Sequence, residues 1–402
     1  MKLLHVISST ESESGGPIEA VQRITEVLLR DGHDIQVLSL ESGKEIASRH
    51  FHFPLLGLGP SIGRFRYTSS LKPWMRRNAE RFDAIILHGL WNYVSVGAWL
   101  GIRKTRTPYF IFTHGMMDPW FREHYPLKHI KKQIYWTLLQ GRALHDARRV
   151  LFTCEEEMLR ARNVFYGHPY REQVVLYGTA DPEKERVADS AAFLNAFPVL
   201  RDRRFLLFIS RIHPKKGCDL LIQAFGDCLA QIPADLDLVM AGPDQAGWVP
   251  RLKAIAAERG IANRVHWTGM LKGDLKWGAF RAAEAMILPS HQENFGFVVA
   301  ESMACSTPVL TSDKVNIWRE VVASKAGLAA PDTLEGTRDL ILRFCALSAD
   351  DRAQMASNAR AGFLRHFDIE VTAREFARMI ERLKDEPLNA SQETQPNGVE
   401  SH

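Results

Sequence analysis

Along this chain, short unbroken apolar runs alternate with stretches in which apolar residues return every three or four positions. Runs such as Ala285-Met286-Ile287-Leu288 have no polar residue at alternate positions, the pattern of a strand buried on both faces. By this reading strands lie at residues 3–8, 35–39, 84–88, 109–113, 150–153 and 174–176 in the first half. In the second half they lie at 205–210, 236–241, 265–267, 285–288, 309–311 and 327–329. The segments between them have helical period, so the chain reads as successive β-α-β units: an α/β protein with two doubly wound halves. Asp181-Pro182-Glu183-Lys184-Glu185-Arg186 is charged and poor in apolar residues, as suits a surface connection between domains. The expected division is a first domain at 1–185, a second at 186–366 and a closing helix within 367–385. Asp368 is placed to cap that helix, whose apolar positions Ile369, Ala373, Phe376 and Ile380 share a face. From 386 to 402 the periodicity stops and polar residues dominate, which predicts a disordered tail.

Composition narrows this picture only slightly. A length of 402 residues with 46% hydrophobic and 24% charged residues fits a soluble protein of two domains. The apolar run at the N-terminus is too short for a signal peptide and no later run would span a bilayer, so a cytoplasmic protein is expected. Five scattered cysteines match neither a zinc site nor a disulfide framework and read as core residues. A formal charge of +4 argues against a dedicated nucleic-acid binder.

Candidate chemistry gathers where strands end. After the run at 285–288, Pro289-Ser290-His291-Gln292 breaks the strand, and Glu293 and Glu301 bracket Asn294-Phe295-Gly296-Phe297 where a helix begins. Ligands of open α/β sheets bind beyond the carboxyl ends of strands, and a helix N-terminus reached through a glycine favours an anion. Arg211 and Lys216 follow the strand at 205–210 and offer a guanidinium fork and an ammonium, enough to neutralise a diphosphate. Taken alone, that cluster reads equally well as a solvated basic turn. Gly15-Gly16-Pro17 opens a helix after the first strand; it is either a phosphate-facing turn or an ordinary tight one, and it lacks the G-x-G-x-x-G spacing of a standard NAD site. No Asp/Asp cluster for a divalent ion stands near this rim, so neither metal nor cofactor is expected.

In order along the chain, Gly15-Gly16-Pro17, His114-Gly115, Arg211 with Lys216, Gly242-Pro243, Gly269, Glu293 with Glu301, and Thr307-Pro308-Val309 resemble the retaining GT-B glycosyltransferases of family GT4. The resemblance implies two Rossmann-like domains facing a cleft, with a nucleotide sugar held mainly by the second and an acceptor by the first. Carried over residue by residue, Arg211 and Lys216 bind the donor diphosphate, and Glu301 accepts from the ribose hydroxyls. Glu293 meets the transferred sugar, helped by backbone amides at Asn294, Phe295 and Gly296. His114 approaches that sugar from the first domain, Gly16 lies near the diphosphate and Leu271 near the base. Retention could proceed through Glu293 as nucleophile, or by front-face attack in which the leaving phosphate takes the acceptor's proton; the resemblance favours the second. The chain departs from the family at Leu176-Tyr177-Gly178-Thr179, at Ser306 and over 314–320.

The acceptor implied is a glycan or lipid-linked saccharide, in exopolysaccharide or lipopolysaccharide assembly. A helix expected over 126–149 carries Leu127, Ile130, Ile134 and Leu138 on one stripe, with Lys128, Lys131 and Lys132 on another face, followed by Arg142, Arg148 and Arg149. Such a helix either packs its stripe on the core or lies peripherally on an anionic membrane, and the pattern alone leaves both open. Trp91-Asn92-Tyr93 and residues 116–120 are candidates to line the acceptor cleft. Other functions compatible with these residues are a sugar-phosphate synthase, a nucleotide-sugar epimerase or a non-catalytic nucleotide-sugar-binding protein.

Overall fold

The computed structural model describes residues 1–11, 16–47, 49, 51–184 and 190–386; the expected tail beyond 386, and the end of the charged linker, lie outside them. Among the described residues, thirteen strands form two sheets in which every pairing is parallel. The first contains β1 (Lys2–Ile7), β2 (Asp34–Ser39), β3 (Leu55–Gly57), β4 (Ala84–His88), β5 (Tyr109–Phe112), β6 (Arg149–Phe152) and β7 (Glu172–Val174), in the order β3-β2-β1-β4-β5-β6-β7. The second contains β8 (Arg204–Ile209), β9 (Leu236–Ala241), β10 (Val265–Gly269), β11 (Ala285–Leu288), β12 (Val309–Ser312) and β13 (Gly327–Ala330), in the order β10-β9-β8-β11-β12-β13. Strand order reverses between β1 and β4, and again between β8 and β11, which are the crevices where doubly wound sheets bind ligands.

Most strands match the apolar runs because those runs are buried on both faces: every residue of β4, β9 and β11 is buried. Two differences have physical causes. Strand β3 is a three-residue edge strand, half-buried throughout, with no apolar run to announce it. Strand β7 ends at Val174, where the expected run of 174–176 begins, and beyond it Val175 and Tyr177 bury themselves in the apolar cluster that continues into the second domain.

The expected single helix over 126–149 is also corrected. It runs as Pro126–Tyr135, widens into a π turn at Trp136–Gln140, resumes at Gly141–Asp146 and stops, so that Arg148 precedes β6 and Arg149 begins it, and neither lies on a helix face. The final helix, Ile369–Leu383, is capped by Asp368, whose carboxylate accepts from the Glu370 amide at 2.9 Å. Its apolar face packs on the Gly16–Arg30 helix of the first domain, and Arg374 reaches Asp31 there at 2.7 Å. The chain thus returns to the first domain after completing the second. Four cysteines, Cys154, Cys218, Cys228 and Cys305, are buried as small core residues.

Candidate active site

The second-domain wall of the cleft is built where β8 and β11 end. Gly217 takes φ +63° against the Pro289 carbonyl, where a Cβ would stand 2.1 Å from the oxygen, so only glycine lets the two loops meet. The His291 amide and the Ser290 hydroxyl then both donate to the Lys215 carbonyl, at 2.8 and 3.0 Å. These bonds bring Lys216, itself buried, into an ion pair with Glu293. Gly296, at φ +80°, starts the Phe297–Ala304 helix, and a Cβ there would crowd Val315 at 3.1 Å and Glu293 at 3.2 Å. The helix N-terminus and its partial positive charge consequently face the same space as Lys216. His213 accepts from the Lys215 amide at 3.1 Å, and its pKa is lowered first by burial and then by Arg211, Lys215 and Lys216. The part of the shift that follows burial reflects these three cations around the ring.

One helical turn further on, Glu301 is buried and its Oε1 receives Lys276 at 2.8 Å and Arg23 at 3.6 Å. Arg23 comes from the first domain. It also donates to Thr179 and lies over the Phe297 ring at 5.3 Å, so one guanidinium joins the first domain, the linker and the donor-side helix. Both cations meet Oε1.

The first-domain wall centres on His114, a non-glycine residue at φ +51°. Such strain persists only where surroundings enforce it. Glu157 does so here: its carboxylate accepts from the Thr113 hydroxyl at 2.6 Å, the Gly115 amide at 2.5 Å, and the Thr153 amide and hydroxyl at 2.7 Å each. Behind His114 stands a column of rings joined end to end. Tyr177 Oη meets His114 Nδ1 at 2.9 Å, His114 Nε2 meets His88 Nδ1 at 3.1 Å, and His88 Nε2 meets His5 Nδ1 at 2.9 Å. Either direction of proton donation makes all three bonds with every ring uncharged, and both leave the buried His5 Nε2 without a hydrogen-bond partner among the described residues. Burial lowers the His114 pKa to about 3 and that of His5 to about 4, and it lowers His88 as well, with repulsion from its two neighbours second. His114 is therefore a neutral hydrogen-bonding group at physiological pH.

Residues 193–362 match the family model for glycosyl transferases group 1, and residues 15–178 match the glycosyl transferase 4-like domain. The chain belongs to glycosyltransferase family GT4. Curated GT4 relatives include D-inositol 3-phosphate glycosyltransferases from Geodermatophilus obscurus, 35% identical over 37% of this chain and 34% of that one, and from Jonesia denitrificans, 28% identical over 51% and 53%. These matches span between a third and about half of the relatives' length. Solved structures with the same GT-B fold include sucrose-phosphate synthase from Thermosynechococcus elongatus (TM-score 0.74, 18% identity, 95% of this chain and 99% of that one). Another is HepE from Anabaena in complex with UDP and glucose (TM-score 0.70, 19% identity, 95% and 99%).

Within this GT4 cleft the residues nominated from sequence are not equally placed. Lys216, Glu293, Asn294, Gly296 and Glu301 converge around the Phe297–Ala304 helix. Arg211 is exposed at the end of β8 and touches Gln245 at 3.3 Å. The Phe295 side chain is buried among Tyr177, Phe297 and Phe367, so only its backbone is available to a ligand. Leu271 is buried beside β10. Gly16 begins the first helix, while Gly15 lies outside the described residues. Asn294 bridges the domains: its amide donates to Thr153 at 3.2 Å and its side chain abuts Gly115, where a Cβ would stand 2.6 Å away. Ser306, at φ +58°, holds the left-handed conformation that favours glycine. Sequence reading missed Arg23, Lys276, Tyr177, His88 and His5, which are far from the motifs in sequence and join the site only through the fold. Among the described residues, no group of three or more His, Cys, Asp or Glu side chains could hold a metal ion.

Beside these groups the cleft holds a cavity of about 490 Å³ between Trp120 and His124 of the first domain and Lys215, Trp248 and His291 of the second. Trp120 stacks on His124 at 4.2 Å and lies under the Lys215 ammonium at 4.1 Å. Of the aromatic candidates, Trp120 is thus the one at the cleft, whereas Tyr93 is buried and Trp91 packs on Phe165.

Proposed function

We propose that this chain transfers a hexosyl unit from a nucleotide-diphosphate sugar to a saccharide or lipid-linked saccharide, with retention and without a metal ion, in exopolysaccharide or lipopolysaccharide assembly. The observation that carries this reading is the ion pair of buried Lys216 with Glu293 in front of the Phe297–Ala304 helix. As the glycosyl–phosphate bond breaks, charge grows on the departing diphosphate, and an ammonium, a guanidinium and aligned amides stabilise it more than the bound donor. Arg211 swings in from its exposed position to complete the cationic set. Glu293, freed from Lys216 as the phosphates take over that ammonium, accepts from hydroxyls of the transferred sugar. Glu301 receives the ribose, and Leu271 borders the base. Neutral His114 meets a sugar hydroxyl only by giving up its bond to Tyr177 or to His88. The acceptor hydroxyl attacks from the leaving-group face, and a departing phosphate oxygen takes its proton, so no carboxylate needs to act as nucleophile.

The acceptor is proposed to reach the cleft from a membrane surface. On the Pro126–Tyr135 helix and the turn after it, Leu127, Ile130, Ile134 and Leu138 are 76%, 56%, 57% and 57% exposed, which excludes the core-packed reading of this stripe. Lys128, Lys131, Lys132 and Arg142 border it, and each basic residue near an anionic leaflet contributes about 1 kcal/mol. No helix among the described residues is long and apolar enough to cross a membrane, so the contact proposed is peripheral.

The donor reading is tested by titrating UDP-, GDP- and ADP-sugars into the wild type and into Arg211→Ala and Lys216→Ala. Loss of the preorganised Lys216 ammonium should slow transfer by roughly 100- to 1,000-fold, and loss of the mobile Arg211 should slow it less. Unchanged affinity and turnover in both variants would refute the diphosphate assignment.

A further inference from the structure

The exposed stripe of the Pro126–Tyr135 helix has a neighbour. After β3 the chain makes a short hairpin: the Ile62 amide donates to the Tyr67 carbonyl at 2.8 Å and the Tyr67 amide to the Ile62 carbonyl at 3.2 Å. The Arg66 amide closes the turn on the Gly63 carbonyl at 3.1 Å, so that Arg64, Phe65, Arg66 and Tyr67 alternate cation and ring. The hairpin is held from beneath, because the Tyr93 amide donates to the Phe65 carbonyl at 2.8 Å and the Phe65 and Tyr67 rings pack on Tyr93 at 5.9 and 4.8 Å. Arg66 keeps φ +56°, a conformation that a non-glycine residue holds only under such constraint. Even so, Ile62 is 73% exposed, and Phe65 and Tyr67 are exposed as well. Apolar side chains presented by so firmly held a loop, next to a second exposed apolar stripe, mark an interaction surface.

Placement and charge decide what covers it. The Phe65 ring meets Tyr135 edge-on at 5.9 Å. Tyr135 lies one residue beyond Ile134, about 100° around the helix, so the hairpin sits beside the exposed stripe without covering it, and one flat surface can touch both. Both elements lie beyond the carboxyl ends of strands of the first sheet, β3 and β5, on the rim where the cleft opens. The sequence has no Asp or Glu between Glu45 and Glu80, nor between Glu123 and Asp146, so Arg64, Arg66, Lys128 and Lys131 stand in two acid-free segments. A second copy of this chain would bring like charges together. An anionic bilayer instead offers countercharge, hydrocarbon for Ile62 and the interfacial layer that aromatic rings prefer. We propose that the 61–67 hairpin is a second membrane-inserting element, which together with the helix seats the first-domain lip of the cleft on the bilayer. The inference rests on the peripheral membrane reading above and adds the element that completes the contact.

The test places the environment-sensitive dye NBD on Ile62→Cys and mixes the full chain with phosphatidylglycerol-containing vesicles or with pure phosphatidylcholine vesicles. Val199→Cys, at an exposed position of the second domain, and the labelled unsubstituted chain are the controls. Emission at position 62 should brighten and shift to the blue with phosphatidylglycerol alone, and emission at position 199 should not change. In co-sedimentation, Ile62→Ser should weaken binding about tenfold, the worth of one buried apolar side chain, and Arg64→Ala about fivefold. Both side chains are exposed, so thermal melts should match wild type. A dye at position 62 that stays in water while the wild type sediments with vesicles would mean that the helix binds alone, which overturns this inference and spares the membrane reading. A wild type that sediments with neither lipid overturns both. A wild-type dimer in light scattering that Ile62→Ser dissociates would give the hairpin to a second copy of the chain, and that too overturns the inference.

Discussion

At the scale of single residues, Glu301 is the most exposed to consequence because it serves two purposes. It is proposed to hold the donor ribose, and it also satisfies Lys276 and Arg23 in a buried position. Removing one partner of a buried pair leaves uncompensated charge and costs roughly 3–5 kcal/mol. Glu301→Gln should therefore lower both thermal stability and donor affinity, whereas Glu293→Gln, whose carboxylate is a quarter exposed, should mainly slow transfer. Differential scanning calorimetry with donor titration separates the two, and a Glu301→Gln protein as stable as the wild type would contradict the buried network. The histidine column makes a second prediction at this scale. Unfolded histidines take up protons near pH ~6.5, whereas folded His5 and His114 do so only at about 4 and about 3. Between those limits the unfolded chain binds more protons, so stability is fully present above pH 6.5 and is lost as pH falls through this window. Each ring contributes a slope of up to ~1.4 kcal/mol per pH unit. Urea midpoints measured from pH 7.5 to 5 should fall steadily, and His88→Gln should flatten the slope; a level profile would mean the rings are charged in the folded protein.

At the scale of elements, the Pro126–Tyr135 helix is where sequence and structure inform each other most. Its stripe of Leu127, Ile130, Ile134 and Leu138 is evident in the sequence, but periodicity marks a face without naming what covers it. Only the fold reveals that solvent meets this face. The same distinction explains the rest. Strands buried on both faces were legible as unbroken apolar runs, while half-buried β3 was not. The loops that carry Arg211, Lys216 and Glu293, and the helix that carries Glu301, were legible because they lie where apolar runs end and helices start. Arg23, Lys276 and the rings behind His114 were not, since their roles depend on contacts between distant segments. Even the π turn at Trp136–Gln140 is marked in the sequence only by Gly141 after it, a residue that helices also tolerate. If the stripe meets a membrane, Leu127→Ser with Ile130→Ser should cut co-sedimentation with phosphatidylglycerol-containing vesicles by tenfold or more, since two apolar side chains are worth about 1.5–3 kcal/mol each. Donor affinity in solution should be unaltered. Vesicle binding that survived both substitutions would remove the membrane from the account.

At the scale of the molecule, two kinds of link join the lobes. Around the linker they include backbone bonds: the Thr179 amide donates to the Phe367 carbonyl at 2.8 Å and the Ile369 amide to the Thr179 carbonyl at 3.1 Å. Arg360 adds a bidentate pair with Asp181, at 2.8 Å twice. Across the cleft the links are side chains: Arg23 to Glu301, Asn294 to Thr153, and Arg319 to Glu156 at 2.7 Å. A two-domain cleft with a firm back and a side-chain front is built to close on its ligand. Arg23 is the informative test because it touches the first domain, the linker and Glu301 at once. Arg23→Ala leaves Lys216, Glu293, Lys276 and Glu301 in place, so the nucleotide half of the donor should bind within about threefold of wild type. Transfer should nevertheless slow about tenfold or more, the scale of a coupling energy of 1–3 kcal/mol between sites. Calorimetric binding of the free nucleoside diphosphate, set against turnover of the sugar donor, separates these quantities. Should affinity fall in step with turnover, Arg23 acts as a donor ligand and not as the tie that couples binding to closure.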